Sequence, residues 1–216
     1  MIESTVSDTQ KWYGLVAKRL MDLIFAAALL LLLWPLFFVI AFGIRISSPG
    51  PIVFVQMRMG RGLEPFALYK FRTMRCGAPH DAPTASIAGG AYITGIGRFL
   101  RRTSLDELPQ LVNVLRGDMS LIGPRPVVLT ESELIGRRAQ VGVYRVKPGM
   151  SGLAQVLGRD QLGEREKTAF DRLYVQHASP LFDLRLLLFS VRPVLLGRGV
   201  CEGRGAEEEG EKKEIV

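Results

Sequence analysis

The stretch Leu23–Ile44 reads LIFAAALLLLLWPLFFVIAFGI, and its lack of any charged residue makes it the segment that decides the architecture. As a straight helix it would be about 33 Å long, which is enough to cross the hydrocarbon core of a bilayer. Lys18 and Arg19 precede it and Arg45 follows it, so the positive-inside tendency favours neither orientation of a span. Pro35 lies near the middle, where a proline removes a backbone hydrogen bond and kinks a helix. The residues alone leave two alternatives open, a membrane-spanning helix and a re-entrant hairpin whose ends both stay on the cytoplasmic side.

The charged residues around this stretch carry two further expectations. Asp22 lies three and four residues after Arg19 and Lys18, so we expect it to pair with them along one helix face. Arg45 and Arg58 are expected to bind acidic lipid headgroups. No small-residue cleavage site follows the apolar stretch, which argues against a cleavable signal peptide.

The charge balance limits the kind of partner that the chain can take. The 216 residues carry a formal net charge of +7, although the segment 202–216 holds six acids and three bases. The remainder therefore has a net charge of +10, which suits a phosphorylated substrate, acidic lipid headgroups or nucleic acid. Cys76 and Cys201 are far apart and only two histidines accompany them, so we expect no zinc site.

Alternating residues in the next part of the chain predict a β-hairpin. Ile52–Met59 and Phe66–Met74 are rich in strand-forming residues and flank the turn sequence GRGLEP. The alternation places Lys70 and Arg72 on one face of the second strand. Taken alone, the pattern favours two solvated bases on an edge strand.

Several helices are expected after the hairpin, following a loop over Cys76–Gly90. The predicted helical segments are residues from about Asp106 to Leu115, Glu131–Tyr144, REKTAFDRLYVQHA and LFDLRLLLFSVRPVLL. In the third, an amphipathic helix, Phe170, Leu173 and Tyr174 are predicted to face inward. The fourth is interpreted either as a core helix or as a helix lying in the membrane interface. Together these elements indicate an α/β chain of the α+β kind.

The stretch Thr103–Gln110, TSLDELPQ, places two carboxylates where a helix is expected to begin. Ser104 and Glu107 fit the capping-box pattern, whereas Asp106 as the cap would make Pro109 the third helical residue. Either start places Asp106 and Glu107 at the positive end of a helix. Capping alone would account for both acids. Four arginines within about twenty residues favour chemistry, because carboxylates among arginines can hold a metal-bound phosphate; they are Arg101, Arg102, Arg116 and Arg125.

The segment from Arg101 to Pro126, RRTSLDELPQLVNVLRGDMSLIGPRP, resembles the bacterial sugar transferases that act on polyprenyl phosphate, the small monotopic phosphoglycosyl transferases. The resemblance runs from about Lys18 to Leu196 and includes KRLMDLIFA, YKFRTM and RVKPGMSGLAQVLGR. It implies a re-entrant membrane helix broken at Pro35. It also implies that a sugar 1-phosphate moves from a UDP-sugar to an enzyme carboxylate, with release of UMP, and then to a polyprenyl phosphate such as undecaprenyl phosphate.

The resemblance assigns roles to the paired acids. Asp106 becomes the nucleophile that forms a covalent intermediate, and Glu107, together with Asp106, binds Mg²⁺. By their positions in the motifs, further residues are expected to bind phosphate or to support the site; they are Lys70, Arg72, Arg101, Arg125 and Gln155, with Arg159 as a further candidate. Gly149 and Gly152 are expected to shape a backbone turn near the ligand.

The chain departs from the family pattern in three places. Trp34 stands where a serine often precedes the breaking proline, and Leu153 and Leu157 replace a tryptophan and an asparagine. These departures concern local packing and the choice of sugar more than the reaction. The sequence names neither the sugar nor the polysaccharide, capsule, O-antigen or glycoprotein glycan that is made.

The resemblance implies a re-entrant membrane helix over residues 18–46 and a catalytic domain over 47–200. A leader over residues 1–17 is expected before them, and the acidic composition of residues 201–216 predicts a disordered tail. The catalytic domain would face the cytoplasm at the bacterial inner membrane. The expected partners are a UDP-sugar, polyprenyl phosphate and membrane lipids, with a homodimer left open and no nucleic acid. The rival interpretation is a membrane-anchored binding protein with a basic face, but the sequence contains no nucleic-acid motif that supports it.

Overall fold

The computed structural model describes residues 16–78, 92–158 and 162–196. These residues form seven α-helices and two small sheets, which confirms the predicted mixture of helix and sheet. In chain order the elements are α1 (Lys18–Ser47), β1 (Val53–Met59), β2 (Pro65–Phe71), α2 (Gly95–Thr103), α3 (Gln110–Arg116), β3 (Ser120–Ile122), α4 (Ser132–Gln140), β4 (Gly149–Ser151), α5 (Leu153–Leu157), α6 (Glu164–His177) and α7 (Pro180–Leu196). Arg159, most of the predicted leader, most of the loop over Cys76–Gly90 and the acidic tail lie outside the described residues.

The predicted hairpin is confirmed. β1 and β2 pair antiparallel, with Val55 opposite Tyr69, and a 3₁₀ turn joins them. The outer edge of β2 is occupied by the side chain of Asn113 from α3. Its Oδ1 accepts from the Tyr69 N–H at 3.0 Å, and its Nδ2 donates to the Ala67 carbonyl at 2.7 Å. The carboxamide thus pairs with β2 as a neighbouring strand would, which fixes α3 against the hairpin.

The apolar helix α1 packs along the rest of the molecule at both of its halves. Ala26 belongs to the core cluster that contains Leu111 and Tyr174. Ile40 and Ile44 belong to a second cluster, with residues of the hairpin and α2. Among the described residues α1 alone is long and apolar enough to cross a membrane, and only 11% of its most apolar stretch is buried. The helix therefore has one face on the protein and a second, apolar face that no described residue covers.

The helix continues through Pro35 as one element, so the structure does not confirm the predicted break. A change of direction at Pro35 and the re-entrant path remain predictions.

The expected pairing of Asp22 with Lys18 and Arg19 is wrong, because each of the three side chains has a partner elsewhere. Lys18 forms an ion pair with Asp183 of α7. The Arg19 guanidinium donates to the carbonyls of Val114 and Leu115, at 2.5 and 2.8 Å, in the last turn of α3. Asp22 accepts from the Ser120 hydroxyl and the Leu121 N–H, both at 3.0 Å. Arg19 thereby satisfies two of the carbonyls that a helix end leaves without intrahelical partners.

Two helix predictions also need correction. The helix expected over Glu131–Tyr144 is α4, which ends at Gln140 because Gly142 takes a left-handed conformation with φ of 76°. In α6 Tyr174 is buried as predicted, but Leu173 is 42% exposed. Buried Asp171 instead shares the inward face with Tyr174, because residues three apart lie on the same side of a helix.

Helix α7 presents apolar side chains on two faces. Leu186 and Asp183 are buried, whereas Leu181, Leu188 and Phe189 are each more than half exposed. This distribution agrees with the interpretation of α7 as a helix that lies in the membrane interface.

Candidate active site

The two adjacent acids lie in a tight turn rather than at a capped helix start. Ser104 ends α2 in the left-handed conformation, with φ of 56°, and its N–H donates to the Arg101 carbonyl. A 3₁₀ turn over Leu105–Glu107 follows, and α3 begins only at Gln110. Neither the Ser104 capping box nor an Asp106 cap is present. The helix predicted from Asp106 to Leu115 is therefore two elements, the 3₁₀ turn and α3, and Pro109 between them has no N–H with which to continue the hydrogen bonding of the turn.

Glu107 is held by two cations. The Lys70 ammonium lies 2.9 Å from its Oε1. The Arg125 guanidinium contacts both carboxylate oxygens, with 2.7 Å from Nη2 to Oε1 and 3.4 Å from Nη1 to Oε2. Burial raises the pKa of Glu107, but Arg125 and Lys70 outweigh it and hold the pKa well below its usual range. Glu107 is therefore an ionised, fixed carboxylate.

Asp106 has a different environment, although it is the next residue in the chain. It is 9% exposed, and burial raises the pKa of its carboxyl to about 6, against the opposing charges of Lys70, Arg101 and Arg125. The negative charge of Glu107 raises it further. No hydrogen bond from the described residues reaches the Asp106 carboxylate. A carboxylate that is poorly solvated and lacks donors is more nucleophilic than one held as Glu107 is.

The segment Pro124–Val127 carries Arg125, and each of its four carbonyls has its own donor. The Pro124 carbonyl accepts from the N–H of Gly149 at 2.9 Å, and the Arg125 carbonyl accepts from Nη1 of Arg138 at 2.7 Å. The Pro126 carbonyl accepts from Nη1 of Arg58 at 3.3 Å, and the Val127 carbonyl accepts from the N–H of Met59 at 3.0 Å. Three elements, β1, α4 and β4, therefore fix the backbone from which Arg125 extends to Glu107.

Arg58 belongs to this support, and its binding of acidic lipids stays a prediction. Its guanidinium is turned inward to the Pro126 carbonyl and to Gln56 Oε1, the second at 2.7 Å. Burial, reinforced by the neighbouring charge of Arg125, lowers the pKa of Arg58 to about 10. Arg45 in contrast is exposed and donates to the Gly50 carbonyl at 3.3 Å.

Gly149 and Gly152 are required by close contact between β4 and the residue that follows β3. A Cβ on Gly149 would lie 2.1 Å from the N of Gly123, and a Cβ on Gly152 would lie 2.1 Å from the Gly123 oxygen. The two strands pair parallel, with Ser120 opposite Gly149. These glycines therefore let two backbones meet beside Pro124, which places the Arg125 segment next to the hairpin.

The remaining predicted residues do not all converge on the carboxylates. Arg101 donates from Nε to the Thr73 hydroxyl at 2.9 Å while its charge still acts on Asp106. Arg72 is buried and donates to the carbonyls of Ser48 and Pro49, each at 2.7 Å, so it braces the segment after α1. Gln155 donates to the Met150 carbonyl at 2.9 Å and so supports β4. The structure thus brings together Asp106, Glu107, Lys70, Arg101 and Arg125, whereas Arg72 and Gln155 contact neighbouring backbone.

The carboxylate pair suits one kind of metal ion. Mg²⁺ commonly takes one or two carboxylates and fills its other positions with phosphate oxygens and water. Asp106 and Glu107 offer such a pair, and the described residues hold no cluster of three or more potential metal ligands. A site of only two carboxylates would leave the remaining positions of a Mg²⁺ ion to phosphate oxygens and water.

Sequence reasoning missed Arg138, Asp171 and Asn113, which support the site from behind. A signal for Asp171 exists, because Thr168, Asp171 and Tyr174 recur at helical spacing on the inward face of α6. A charged residue on such a face implies a buried partner. No comparable pattern indicates Asn113.

Comparison with known proteins identifies one family, which covers nearly the whole chain. The family model described as bacterial sugar transferase matches residues 13–197. The UDP-glucose:undecaprenyl-phosphate glucose-1-phosphate transferase of Caulobacter vibrioides is 42% identical, over 82% of this chain and 69% of its own length. The UDP-N-acetylgalactosamine-undecaprenyl-phosphate N-acetylgalactosaminephosphotransferase of Aeromonas hydrophila is 37% identical, over 84% of this chain and 44% of its own length. The exopolysaccharide production protein ExoY of Rhizobium meliloti is 37% identical, over 86% of this chain and 88% of its own length.

Proposed function

The chain belongs to the bacterial sugar transferase family, and from that membership we propose that it transfers a sugar 1-phosphate from a UDP-sugar to undecaprenyl phosphate, releasing UMP. The observation that carries this proposal is the contrast within one turn: Glu107 is fixed by Lys70 and Arg125, whereas Asp106 is buried beside the same cations and accepts no hydrogen bond from the described residues. The product is a polyprenyl-diphosphate sugar, the first membrane-bound intermediate of exopolysaccharide or a related glycoconjugate.

In the first step an Asp106 carboxylate oxygen attacks the phosphorus that bears the sugar. The bond from that phosphorus to the bridging oxygen breaks, and UMP leaves with the bridging oxygen. An acyl phosphate on Asp106 results. Splitting the reaction in this way lets a soluble donor and a lipid acceptor use the same site in turn.

In the second step a phosphate oxygen of undecaprenyl phosphate attacks the same phosphorus. The bond between phosphorus and the Asp106 oxygen breaks, and the carboxylate is restored. The sum of the steps converts UDP-sugar and undecaprenyl phosphate into UMP and undecaprenyl-diphosphate sugar, and no oxidant or other reactant is needed.

The charges around the pair suit this chemistry. A carboxylate that approaches a diphosphate meets like charge, and Lys70, Arg101 and Arg125 can offset it at the transferred phosphoryl group. Glu107, with Asp106, would hold the Mg²⁺ ion, which when bound neutralises charge on the diphosphate and on the departing UMP.

The contacts of α1 support a monotopic arrangement. Arg19 and Ile44 both contact the domain, and they lie about 37 Å apart along the helix, more than the roughly 30 Å of a hydrocarbon core. A helix upright across the bilayer would pull the attached domain into it. A shallow re-entrant path through the bacterial inner membrane, with the catalytic domain on the cytoplasmic side and α7 in the interface, avoids this conflict and brings the site to the depth of the lipid phosphate.

The test is UMP release from a panel of UDP-sugars that includes UDP-glucose and UDP-N-acetylgalactosamine, with Mg²⁺ and with or without undecaprenyl phosphate. Without the lipid, we expect one sugar phosphate to be added to the chain, seen as an increase in intact mass. Asp106→Asn should lose the adduct and lower turnover on the order of 10³-fold or more. Glu133→Gln, an exposed acid on α4, is the matched control. Near-parent turnover of Asp106→Asn would remove Asp106 as the nucleophile.

A further inference from the structure

A buried ion pair lies behind the Arg125 segment. Arg138 of α4 and Asp171 of α6 approach to 2.5 Å between Nη2 and Oδ2, and their side chains are only 4% and 2% exposed. Buried pairs of this kind are weak contributors to stability, because desolvation offsets their attraction, and apolar residues of similar size often replace them without loss. The position of this pair therefore matters more than its charge energy.

The second terminal nitrogen of Arg138 reaches the active-site segment. Its Nη1 donates to the Arg125 carbonyl at 2.7 Å. The guanidinium is a planar fork, so fixing Nη2 on Asp171 also fixes the direction in which Nη1 points. A lysine offers one ammonium on a flexible stem and does not hold both partners in the same way. Asp171 thus orients Arg138, and Arg138 orients the backbone of Arg125.

The Arg125 side chain depends on that backbone more than a buried residue would. It is 43% exposed, so little packing restricts its rotamers before it contacts Glu107. Prolines flank it on both sides and have no N–H to donate, so carbonyl contacts are the main hydrogen bonds that hold the segment. Among those contacts, the one to the Arg125 carbonyl itself comes from Arg138.

We propose that Arg138, oriented by Asp171, is a positioning residue that sets the bidentate contact between Arg125 and Glu107. The proposal rests on the function proposed above and adds to it a connection from α6 through α4 to the carboxylate pair. Arg138 touches neither substrate nor Asp106 in this scheme; it acts only through Arg125.

A double-mutant cycle in the full-length protein tests this route. The variants are Arg138→Lys and the double replacement Arg138→Met with Asp171→Leu, which leaves no unpaired buried charge. Since a displacement of about 1 Å can reduce a rate about 100-fold, we expect each to lower kcat/KM for UMP release by roughly that factor while thermal unfolding changes little in the double replacement. In an Arg125→Ala background the same changes should lower kcat/KM by no more than about twofold.

Arg137→Met is the matched control. Arg137 is the neighbouring residue on α4 and forms an exposed ion pair with Glu133 at the i,i+4 spacing. This variant should leave UMP release unchanged, because surface pairs contribute little and Arg137 does not contact the Arg125 segment.

A second measurement is independent of activity. In ¹⁵N-arginine-labelled protein, the Arg125 guanidinium signal, identified by its loss in Arg125→Lys, should show slow rotation in the parent and in Arg137→Met. It should show fast rotation in the Arg138→Met/Asp171→Leu protein. A rotation rate that stays slow there, or an equal loss of UMP release with and without Arg125, would overturn the positioning role. If the parent releases no UMP at all, the proposed function fails, and the rotation measurement still decides the role of Arg138.

Discussion

Asp106 and Glu107 are neighbours in the chain whose pKa values are shifted in opposite directions, because burial dominates at Asp106 and the charges of Arg125 and Lys70 dominate at Glu107. For Asp106, burial makes the protonated form favourable in the folded protein, so its folded pKa of about 6 lies above the unfolded value. Between about pH 4 and pH 6 the Asp106 carboxyl is ionised in the unfolded chain but still protonated in the folded protein. The free energy of unfolding therefore falls as the pH rises through this window. For Glu107 the pKa is lowered, so its ionised form adds stability that is fully present above the unfolded pKa and is lost as the pH falls.

Opposite effects on unfolding follow for the two isosteric variants. At pH 7 we expect Asp106→Asn to unfold at a higher temperature than the parent, because it removes the cost of ionising a buried acid. The difference should vanish near pH 4. Glu107→Gln should unfold at a lower temperature at pH 7, because Lys70 and Arg125 lose their counter-charge. Thermal unfolding of both proteins in the same detergent, without Mg²⁺, measures this; two shifts of the same sign at pH 7 would contradict it.

At the scale of residues, motif position identified the members of the pair and the bases that act on them, but not the partners of every base. Lys70 meets Glu107 across the hairpin. Arg72, two residues further, turns to carbonyls at the end of α1, because helix ends and turns leave such groups without intrahelical donors. Contacts of a side chain with distant backbone depend on the tertiary path, which spacing along the chain does not encode.

At the scale of elements, the junction between β3 and β4 decides where Arg125 lies. Gly149 and Gly152 are in contact with the backbone of Gly123, and an added methyl group would meet main-chain atoms, which do not move as a flexible side chain does. The segment that carries Arg125 begins at Pro124, the residue after Gly123. The position of Arg125 thus depends on Gly149 and Gly152, which have no side chain to separate their backbone from that of Gly123.

Replacement by alanine should have opposite effects on stability at a glycine that is crowded by backbone and at one with open space around it. Gly149→Ala should lower the unfolding temperature and reduce UMP release together, because β4 must move away from Gly123. Gly136→Ala, within α4, meets nothing within 4 Å and should stabilise the protein by about 0.5–1 kcal/mol through helix propensity. Thermal unfolding and the UMP assay on both variants check this. If Gly149→Ala matched the parent in both measurements, the close approach would not be important.

Among the elements, sequence patterns predicted the hairpin and helices α1, α3, α4, α6 and α7, with errors at their ends, whereas the five-residue helix α5 was not predicted. The helix expected from Asp106 begins at Gln110, because Pro109 has no N–H to donate to the preceding turn. The short parallel strands β3 and β4 are three residues each, too short for an alternating pattern to indicate them.

At the scale of the whole molecule, the open question from the sequence was the path of the apolar helix. Charge at both ends and a central proline permitted a span or a re-entrant turn. We propose the second arrangement on the basis of the contacts that α1 makes with the domain along both halves. This information is absent from the sequence, because hydropathy reports how apolar a segment is and not what lies beside it.

Cysteine accessibility at the two ends of α1 tests the path. Val16→Cys and Ile46→Cys, at exposed positions, would be made in a protein that carries Cys76→Ser and Cys201→Ser. A membrane-impermeant maleimide should label both positions from the cytoplasmic side of inverted vesicles. Labelling of the two positions from opposite sides would establish a span instead.

The apolar helix α1, which we propose as the membrane anchor, is also part of the interior of the protein, since Ala26, Ile40 and Ile44 complete two of its hydrophobic clusters. A detachable tether could be cut away to leave a working soluble enzyme; here the cut would leave both clusters open to water. We therefore expect insertion into the lipid and folding of the domain to be one coupled event. The newly made apolar segment would insert into the membrane before the rest of the chain folds. The protein would become active only where a membrane is already present.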